Sequence, residues 1–207
     1  MYFYYDEIPM KSAGLSNLIK TERLILSVPR EDQNAAMRDY YLRNREHHAL
    51  CQPRRRDDFY GLESISERIA AGQKNFERGG EIWLVIQLRD GDRATKIIGD
   101  LALSQVARGP FQAAYLGYKL DKDHVGMGYM HEALQAILTH AFEEQKLHRI
   151  MANYSPANLR SAAVLKKLGF VVEGYARDYL FLNDRWEDHI LSSITNSKFD
   201  SSSLAKP

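Results

Sequence analysis

The stretch DHVGMGYM, residues 123–130, marks the point where the sequence changes from a strand pattern to a helix pattern. The residues before it, 113–120, read AAYLGYKL and are predicted to form a strand. The apolar residues after it recur three or four positions apart, as one face of a helix requires. They are Met130, Leu134, Ile137 and Ala141. A strand therefore leads through a turn with two glycines into a helix.

Two glycines, Gly126 and Gly128, stand immediately before this helix, which is predicted to begin near Tyr129. The backbone N–H groups of a first helical turn have no acceptor within the helix, and the helix dipole adds partial positive charge there. Glycine at both positions removes Cβ atoms that would hold a phosphate group away, and it permits φ above zero. The same glycines also suit an ordinary strand-to-helix turn, so that alternative stays open.

The composition is typical of one balanced domain. The chain has 207 residues, of which 44% are hydrophobic and 27% are charged, enough for one well-buried core. Lys and Arg total 28 against 27 for Asp and Glu, so the net charge of +1 favours neither DNA nor an anionic membrane as a partner. The single cysteine, Cys51, cannot form an internal disulfide, and neither a secretory signal nor an apolar run of about 20 residues is seen. We therefore expect a cytoplasmic protein.

Strand and helix patterns alternate along the rest of the chain. We predict one α/β domain over 21–195, between an N-terminal extension over 1–20 and a polar tail over 196–207. Strands are predicted over 23–28, 82–88, 96–106, 113–120 and 149–154, with a hairpin connection at 89–92 and a final hairpin that turns at Asn183–Asp184. Helices are predicted from an N-cap at Asp32 to about residue 44, over 64–78, from about Tyr129, and over 158–168.

The second informative segment is NYSPANLRSAAVLKKLGF, residues 153–170. Taken singly, Asn158 suits a helix N-cap, Ser161 a solvated helix position and Gly169 a helix C-cap. Together with the glycine turn, these residues resemble the GNAT family of N-acetyltransferases. The resemblance implies a single-domain α/β acyltransferase fold, in which a mixed, mostly antiparallel sheet is flanked by helices and two central strands splay apart.

The same resemblance implies a site for acetyl-CoA. In GNAT proteins the gap between the splayed strands lets the pantetheine arm pair with free strand backbone, while the glycine loop holds the pyrophosphate. The residues so implied are Tyr118, Lys119 and Leu120 on the strand, Val125, Gly126, Met127, Gly128, Tyr129 and Met130 in the loop, and Asn158 with Ser161 along the arm. One departure concerns Asp123, which stands where the family often has Arg or Gln. We therefore assign the pyrophosphate to backbone N–H groups rather than to that side chain.

Several shorter stretches narrow the resemblance to the bacterial ribosomal-protein alanine N-acetyltransferases. They are IIGD, LGYKL, GMGYMHEAL, HRIMANYSPANLRS, LKKLGF, EGYARDYLF and RWEDHIL, within residues 97–191, together with NREHH at 44–48. This resemblance implies transfer of acetyl to the N-terminal α-amino group of a ribosomal protein that starts with Ala or Ser. Two alternatives stay open: acetylation of a small amine such as a polyamine or an aminoglycoside, and a non-catalytic acyl-CoA-binding or ribosome-associated module.

The acid and base that are usual in the family are absent: Tyr115 stands where relatives often carry Glu, and Leu165 where some carry Tyr. An α-amino group has a pKa of about 8 against about 10.4 for lysine, so a weak base or a water suffices. Ser161 is the first candidate to protonate the CoA thiolate, and Tyr115 is the second. Asp100 and Asp178 are candidates to accept the amine proton, although a paired or solvated carboxylate is the simpler explanation of each.

The remaining features concern partners and rival chemistry. Arg54, Arg55 and Arg56 fall in a region that binds the acceptor in the resembling family, although this segment lacks the Trp that the resembling alanine N-acetyltransferases tend to carry. The three arginines suit contact with an acidic acceptor side chain, contact with ribosomal RNA, or a solvated loop. Cys51 has no His at a spacing that implies activation, so no covalent intermediate is expected. The seven histidines have no metal-like spacing, and no metal is predicted.

Overall fold

The structure is a computed structural model that describes residues 18–49, 51–89 and 96–204, apart from the side chain of residue 203. The strands are β1 (Leu18–Lys20), β2 (Leu24–Ser27), β3 (Ile82–Leu88), β4 (Ile97–Ala107), β5 (Ala113–Leu120), β6 (Arg149–Met151), β7 (Val171–Leu182) and β8 (Arg185–Thr195). The α-helices are α1 (Asn34–Arg43), α2 (Arg45–Ala49), α3 (Leu62–Glu77), α4 (Tyr129–Thr139) and α5 (Leu159–Lys167). Short 3-10 turns cover Glu31–Gln33, Asp57–Tyr60, Lys122–His124 and Ser201–Leu204, and a π turn, His140–Glu144, continues α4.

The described strands form one sheet in the order β1-β2-β3-β4-β5-β6-β8-β7, with helices on both faces. Neighbouring strands are antiparallel except for β5 and β6. The larger core packs α4 and α5 against the face that carries Leu101 and Leu116. A smaller core packs α1 and α3 against the opposite face, around Val85. The predicted α/β fold with a mixed, mostly antiparallel sheet is confirmed.

The two central strands diverge after a short contact. β5 and β6 pair in parallel over only three residues each, Ala113–Tyr115 with Arg149–Met151. The rest of β5, from Leu116 to Leu120, pairs with β4 on one side and with no described strand on the other. Unpaired strand backbone presents a row of N–H and C=O groups that an extended ligand can pair with. The predicted splay is confirmed, and we call Leu116–Leu120 the free part of β5.

The final hairpin turns at Asn183 and Asp184, as predicted. Both residues adopt left-handed backbone, with φ of 52° and 66°, which Asn and Asp tolerate better than other side chains. The Asn183 amide donates to the Ala49 carbonyl at 2.8 Å and accepts from the Arg54 N–H at 3.2 Å. The hairpin tip is therefore tied to the segment that follows α2.

The start of the first long helix differs from the prediction. Asp32 is not an N-cap, because it lies in the 3-10 turn before α1 and its carboxylate pairs with Arg30 at 3.0 Å. The turn is closed instead by Gln33, whose side chain accepts from the Arg30 N–H at 2.9 Å. Asp32 correctly marked the approach to the helix, but a different residue, Gln33, makes the hydrogen bond that closes the turn.

Two further differences concern boundaries. β1 lies inside the range predicted to be an extension and pairs with β2, so Leu18 already belongs to the sheet. The strand predicted over 149–154 ends at Met151, and Tyr154 returns to the sheet by a single bridge to Ile190. Residues 90–92 of the predicted hairpin connection lie outside the described residues, although β3 and β4 pair antiparallel.

Within the described ranges, every helix is too short or too polar to cross a membrane.

Candidate active site

The glycine loop joins the turn Lys122–His124 to α4. Gly126 and Gly128 both have left-handed backbone, with φ of 83° and 81°, which side chains disfavour. The backbone N–H groups of residues 125–130 donate to no residue in the described part of the chain. A Cβ at Gly126 would meet no atom of the described residues within 4 Å, so no described part of the chain fills the space in front of the loop. The loop can therefore receive an anion such as a diphosphate.

A clamp from the start of β2 holds this loop. Arg23 Nη1 donates to the Met127 carbonyl at 2.9 Å, and Arg23 Nε pairs with Glu132 Oε2 at 2.7 Å. Thr21 Oγ1 donates to Glu132 Oε1 at 2.6 Å, and the Arg23 guanidinium lies 4.6 Å from the Tyr129 ring centroid. The clamp fixes the first turn of α4 and keeps a cation beside the free N–H groups.

Asp121 anchors the other end of the loop, and its side chain is fully buried. It accepts from Arg43 Nε at 2.6 Å and from the Asp123 N–H at 3.0 Å. Burial alone would raise the pKa of Asp121, but the hydrogen bonds from Asp123, Arg43 and Asn44 lower it to about 2. Asn44 also accepts from the Lys122 N–H at 2.9 Å. The end of α1 is therefore bonded to the turn that leads into the loop.

Replacing Asp121 by Asn is expected to lower the free energy of unfolding by about 2 kcal/mol at pH 7, because the largely buried Arg43 loses its buried counterion and keeps only the exposed Asp39. A carboxylate whose pKa is lowered stabilises the fold above its ordinary pKa of 3.8, and this stabilisation is lost as the pH falls towards 2. The gap between wild type and variant should therefore be constant from about pH 7 to 5 and narrow below about pH 4. Urea unfolding across this range measures it.

Asp39→Asn is the matched control, because Asp39 pairs with the same Arg43 but its side chain is 67% exposed. We expect this variant to lose less than about 0.5 kcal/mol. Equal losses in the two variants would contradict the assignment of Asp121 as the anchor.

A pair of hydroxyls bridges the free part of β5 and α5. Tyr118 Oη and Ser161 Oγ lie 2.5 Å apart, and the Ser161 residue is 9% exposed. Burial raises the pKa of Tyr118 to about 12, although its hydrogen bond with Ser161 acts in the opposite direction. Both hydroxyls therefore stay protonated at neutral pH. The sequence placed these residues separately along the cosubstrate, whereas the structure joins them in one hydrogen-bonded pair.

Asn158 is the N-cap of α5, since its Oδ1 accepts from the Ser161 N–H at 3.1 Å. The sequence did not decide whether Asn158 caps the helix, and the structure shows that it does. Asn158 Nδ2 lies 3.5 Å from Cys51 Sγ, which brings the only cysteine close to α5 across 107 residues of sequence. Burial raises the pKa of Cys51, so its thiol stays protonated and is a poor nucleophile at neutral pH. Cys51 is therefore a poor candidate for a covalent intermediate.

A polar cleft of about 540 Å³ opens on the other face of β5. It lies between α1, α2, the turn Asp57–Tyr60 and the tip of the β7–β8 hairpin, and it reaches β5 at Lys119. His48 also lines the cleft, and its Nε2 lies 3.3 Å from the Leu120 carbonyl oxygen. Burial, aided by Lys119, lowers the pKa of His48, so the ring is neutral at pH 7. The cleft therefore gives access to the free part of β5 from the face opposite Tyr118.

The two carboxylates singled out in the sequence differ in setting. Asp100 is buried and accepts from Tyr40 Oη and Trp83 Nε1, each at 3.2 Å, while Lys119 Nζ lies 3.2 Å away. Its oxygens are engaged, as the paired alternative requires. Asp178 lies on β7 at a bulge with a φ of 49°, is exposed, and does not line the cleft.

The other predicted residues also separate by face. Tyr115 and Tyr118 point to opposite faces of β5, and burial together with a hydrogen bond to Tyr179 raises the pKa of Tyr115. Tyr115 is therefore not part of the Tyr118–Ser161 pair. Met130 is buried in the larger core, so only its backbone faces the loop. Among the described residues, no group of three or more His, Cys, Asp or Glu could hold a metal ion.

The family model of the acetyltransferase (GNAT) domain matches residues 23–171, which include the glycine loop, the free part of β5 and α5. The chain belongs to the GNAT family. This GNAT chain is 36% identical over 177 residues to the [ribosomal protein uS5]-alanine N-acetyltransferase of Escherichia coli (strain K12), covering 86% of the chain and 90% of the relative. The predicted family is confirmed, and with it the prediction of an N-acetyltransferase.

Solved structures agree with this assignment. The GNAT chain superimposes on the ribosomal-protein-S5-alanine acetyltransferase from Vibrio fischeri with a TM-score of 0.83 at 35% identity, covering 88% of this chain and 98% of that one. It superimposes on Mycobacterium smegmatis RimJ in complex with CoA-disulfide with a TM-score of 0.78 at 28% identity, covering 87% and 86%.

Sequence reasoning missed the residues that hold the GNAT loop in place. Glu132 in the first turn of α4 was the available signal for a nearby cation, but no pattern identified Arg23, 109 residues earlier, as its partner. His48 was included in the NREHH resemblance and among the histidines without metal-like spacing, but it was not predicted to accept a proton. Its neutral ring at the cleft follows from burial, which spacing does not reveal.

Proposed function

We propose that this protein transfers the acetyl group of acetyl-CoA directly to the N-terminal α-amino group of a ribosomal protein that starts with Ala or Ser. The observation that carries the proposal is the meeting of two sites at the free part of β5. The glycine loop and the Tyr118–Ser161 pair lie on one face, and the cleft lined by Lys119 and His48 lies on the other. Relatives of E. coli and V. fischeri, at 36% and 35% identity, carry the name of ribosomal-protein alanine acetyltransferases and support this acceptor class.

The residues present fit the cosubstrate. The free N–H groups of residues 125–130 and the open space at Gly126 suit a pyrophosphate, and the free part of β5 suits the amide-containing pantetheine arm. The named complex of M. smegmatis RimJ with CoA-disulfide supports the same class of ligand. When bound, acetyl-CoA supplies a thioester whose carbonyl carbon is attacked by the amine and whose sulfur departs as a thiolate.

Two protons have to move, and the chain offers a group for each. Because an α-amino group has a pKa of about 8, a useful fraction is already neutral at cellular pH. His48, a neutral imidazole in the cleft, accepts the proton that the amine loses as it attacks, directly or through water. It is better placed for this than Asp100, whose oxygens are engaged, or Asp178, which lies outside the cleft. The Tyr118–Ser161 pair donates the proton that the thiolate takes up.

The charge of the cleft favours a protein N-terminus over a small polycation. Five cationic side chains line it against two anionic ones, which would repel a polyamine or an aminoglycoside. With a ribosomal protein as the acceptor, the enzyme would act in the cytoplasm.

A thiol-release assay with acetyl-CoA tests the proposal. Peptides that start with Ala or Ser should release CoA thiol, whereas the same peptides with a blocked N-terminus, spermidine and kanamycin should give only the acceptor-free rate. Mass spectrometry of protein N-termini in cells with and without the enzyme should then show one ribosomal protein that loses its acetyl group. Tight CoA binding without thiol release to any amine would leave the non-catalytic alternative instead.

A further inference from the structure

Two arginines of the cleft have no counterion in the described part of the chain. Arg54 and Arg55 line the cleft, and no carboxylate lies within ion-pair distance of either. Glu46 is the one lining carboxylate that is also without an ion pair among the described residues, so an excess of positive charge persists. The other cations are compensated. Arg45 pairs with Asp57 at 3.0 Å, Arg185 with Glu187 at 2.5 Å and Lys119 with Asp100 at 3.2 Å.

A second guanidinium behind the cleft wall adds to this charge. Arg55 and Arg68 both pack on the Phe59 ring, with the guanidinium carbons 5.0 Å and 3.6 Å from its centroid. Arg68 donates to the Phe59 carbonyl at 2.9 Å, while its Nε and Nη1 are buried and have no partner among the described residues. Burial lowers the pKa of Arg68, and the nearby charge of Arg55 lowers it further. Two guanidinium groups on one ring with no anion between them are stabilised by a carboxylate that enters the cleft.

We infer that the cleft recognises an acceptor segment in which Asp or Glu follows the N-terminal amine within a few residues, with Arg55 and Arg54 binding that carboxylate. This inference rests on the proposed function and adds the chemical class of the acceptor. The cleft that is lined by Lys119 on β5, beside which the amine would enter, is also lined by the two exposed arginines. Its volume of about 540 Å³ suits a few residues of extended chain, which advances about 3.3 Å per residue.

An acidic peptide fits this site better than ribosomal RNA does. Asp57 and Asp58 follow the arginines directly, with side chains that are 89% and 73% exposed, and they would repel a phosphate backbone at the rim. Arg56, the third arginine of the run, does not line the cleft and lies 3.6 Å from Asp58. The run thus divides into two residues that face the acceptor and one that faces solvent.

Matched peptides test the inference. Each starts with Ala, is otherwise neutral, and carries either Glu or Gln at position 2, 3, 4 or 5. At the best position kcat/KM should be about tenfold higher for Glu than for Gln, as one charge-assisted hydrogen bond provides, and the ratio should fall as salt is raised from 50 to 500 mM, roughly the range in which screening grows strong. Arg55→Gln should bring the ratio close to one, whereas Arg56→Gln should leave it unchanged. Arg55→Glu should reverse the preference towards a Lys peptide.

The outcomes separate this inference from the function beneath it. If both Glu and Gln peptides are acetylated at equal rates at every position, the inference is wrong and the proposed function stands. If no peptide is acetylated, the proposed function fails. A Glu preference that Arg56→Gln removes as fully as Arg55→Gln would also overturn the assignment. If Arg55→Gln does not fold, the salt dependence of the wild-type ratio decides. Equal peptide rates with an RNA oligonucleotide competing through Arg55 would identify nucleic acid as the ligand instead.

Discussion

Replacing Gly126 by Glu is expected to raise the Kd for CoA by about 100-fold or more while the fold is retained. The N–H groups of residues 125–130 have no acceptor in the described structure, and a Cβ at Gly126 would enter the open space that they face. A glutamate there brings a negative charge against a pyrophosphate, and its side chain fills the place of the ligand. Isothermal calorimetry with CoA measures the affinity, and thermal unfolding reports whether the fold is intact.

Gly126→Ala separates the two contributions of this substitution. It imposes the same unfavourable φ of 83° on a residue with a Cβ, but it adds neither charge nor length. We expect Ala to weaken binding by about tenfold at most and to cost about 1 kcal/mol of stability. If Glu and Ala weaken CoA binding equally, backbone strain accounts for the whole loss, and the pyrophosphate does not lie at this loop.

The sequence predicts the fold well wherever a local pattern fixes an element. β5 and the start of α4 lie where predicted, because the change from period 2 to period 3.6 at the glycine loop is local. The N-cap at Asp32 was wrong because several polar residues there can close the same turn, and Gln33 does so. β1 was missed because three residues carry no detectable period, and only the edge of β2 makes them a strand.

The candidate site was predictable only in part, because some of its contacts join residues that are far apart in the sequence. The glycines follow from backbone requirements that any reader of the sequence can state. The clamp of Arg23 on Glu132 and the anchor of Asp121 on Arg43 join residues that are 109 and 78 positions apart, and either partner has many equivalent alternatives in sequence. The division of Tyr115 and Tyr118 between two faces follows from strand alternation, yet its meaning needs the positions of α5 and the cleft. The contacts between residues far apart in the sequence therefore define the part of the site that local sequence patterns did not predict.

Removing either hydroxyl of the Tyr118–Ser161 pair is expected to lower kcat by about 100-fold while changing the KM for acetyl-CoA by no more than about threefold. The two oxygens lie 2.5 Å apart, so Tyr118→Phe and Ser161→Ala each interrupt the same donor. The double variant should therefore be about as slow as either single one, rather than about 10,000-fold slower. Ser161→Ala keeps the backbone N–H that Asn158 caps, so α5 stays in place.

The pH profile tests whether the donor stays protonated in the range where the amine titrates. Because the pKa of Tyr118 is raised to about 12, the donor stays protonated throughout the usual range. Wild-type kcat/KM should rise with pH as the α-amine loses its proton near pH 8 and then stay level to about pH 10, since no acid with a lower pKa is lost. Tyr118→Phe should keep this shape at a lower plateau. Tyr115→Phe tests the rival donor on the opposite face of β5. A loss there as large as that of Tyr118→Phe would contradict the assignment of the Tyr118–Ser161 pair as the donor. Additive losses in the variant with both Tyr118→Phe and Ser161→Ala would show that the two hydroxyls of the pair do not act as one acid.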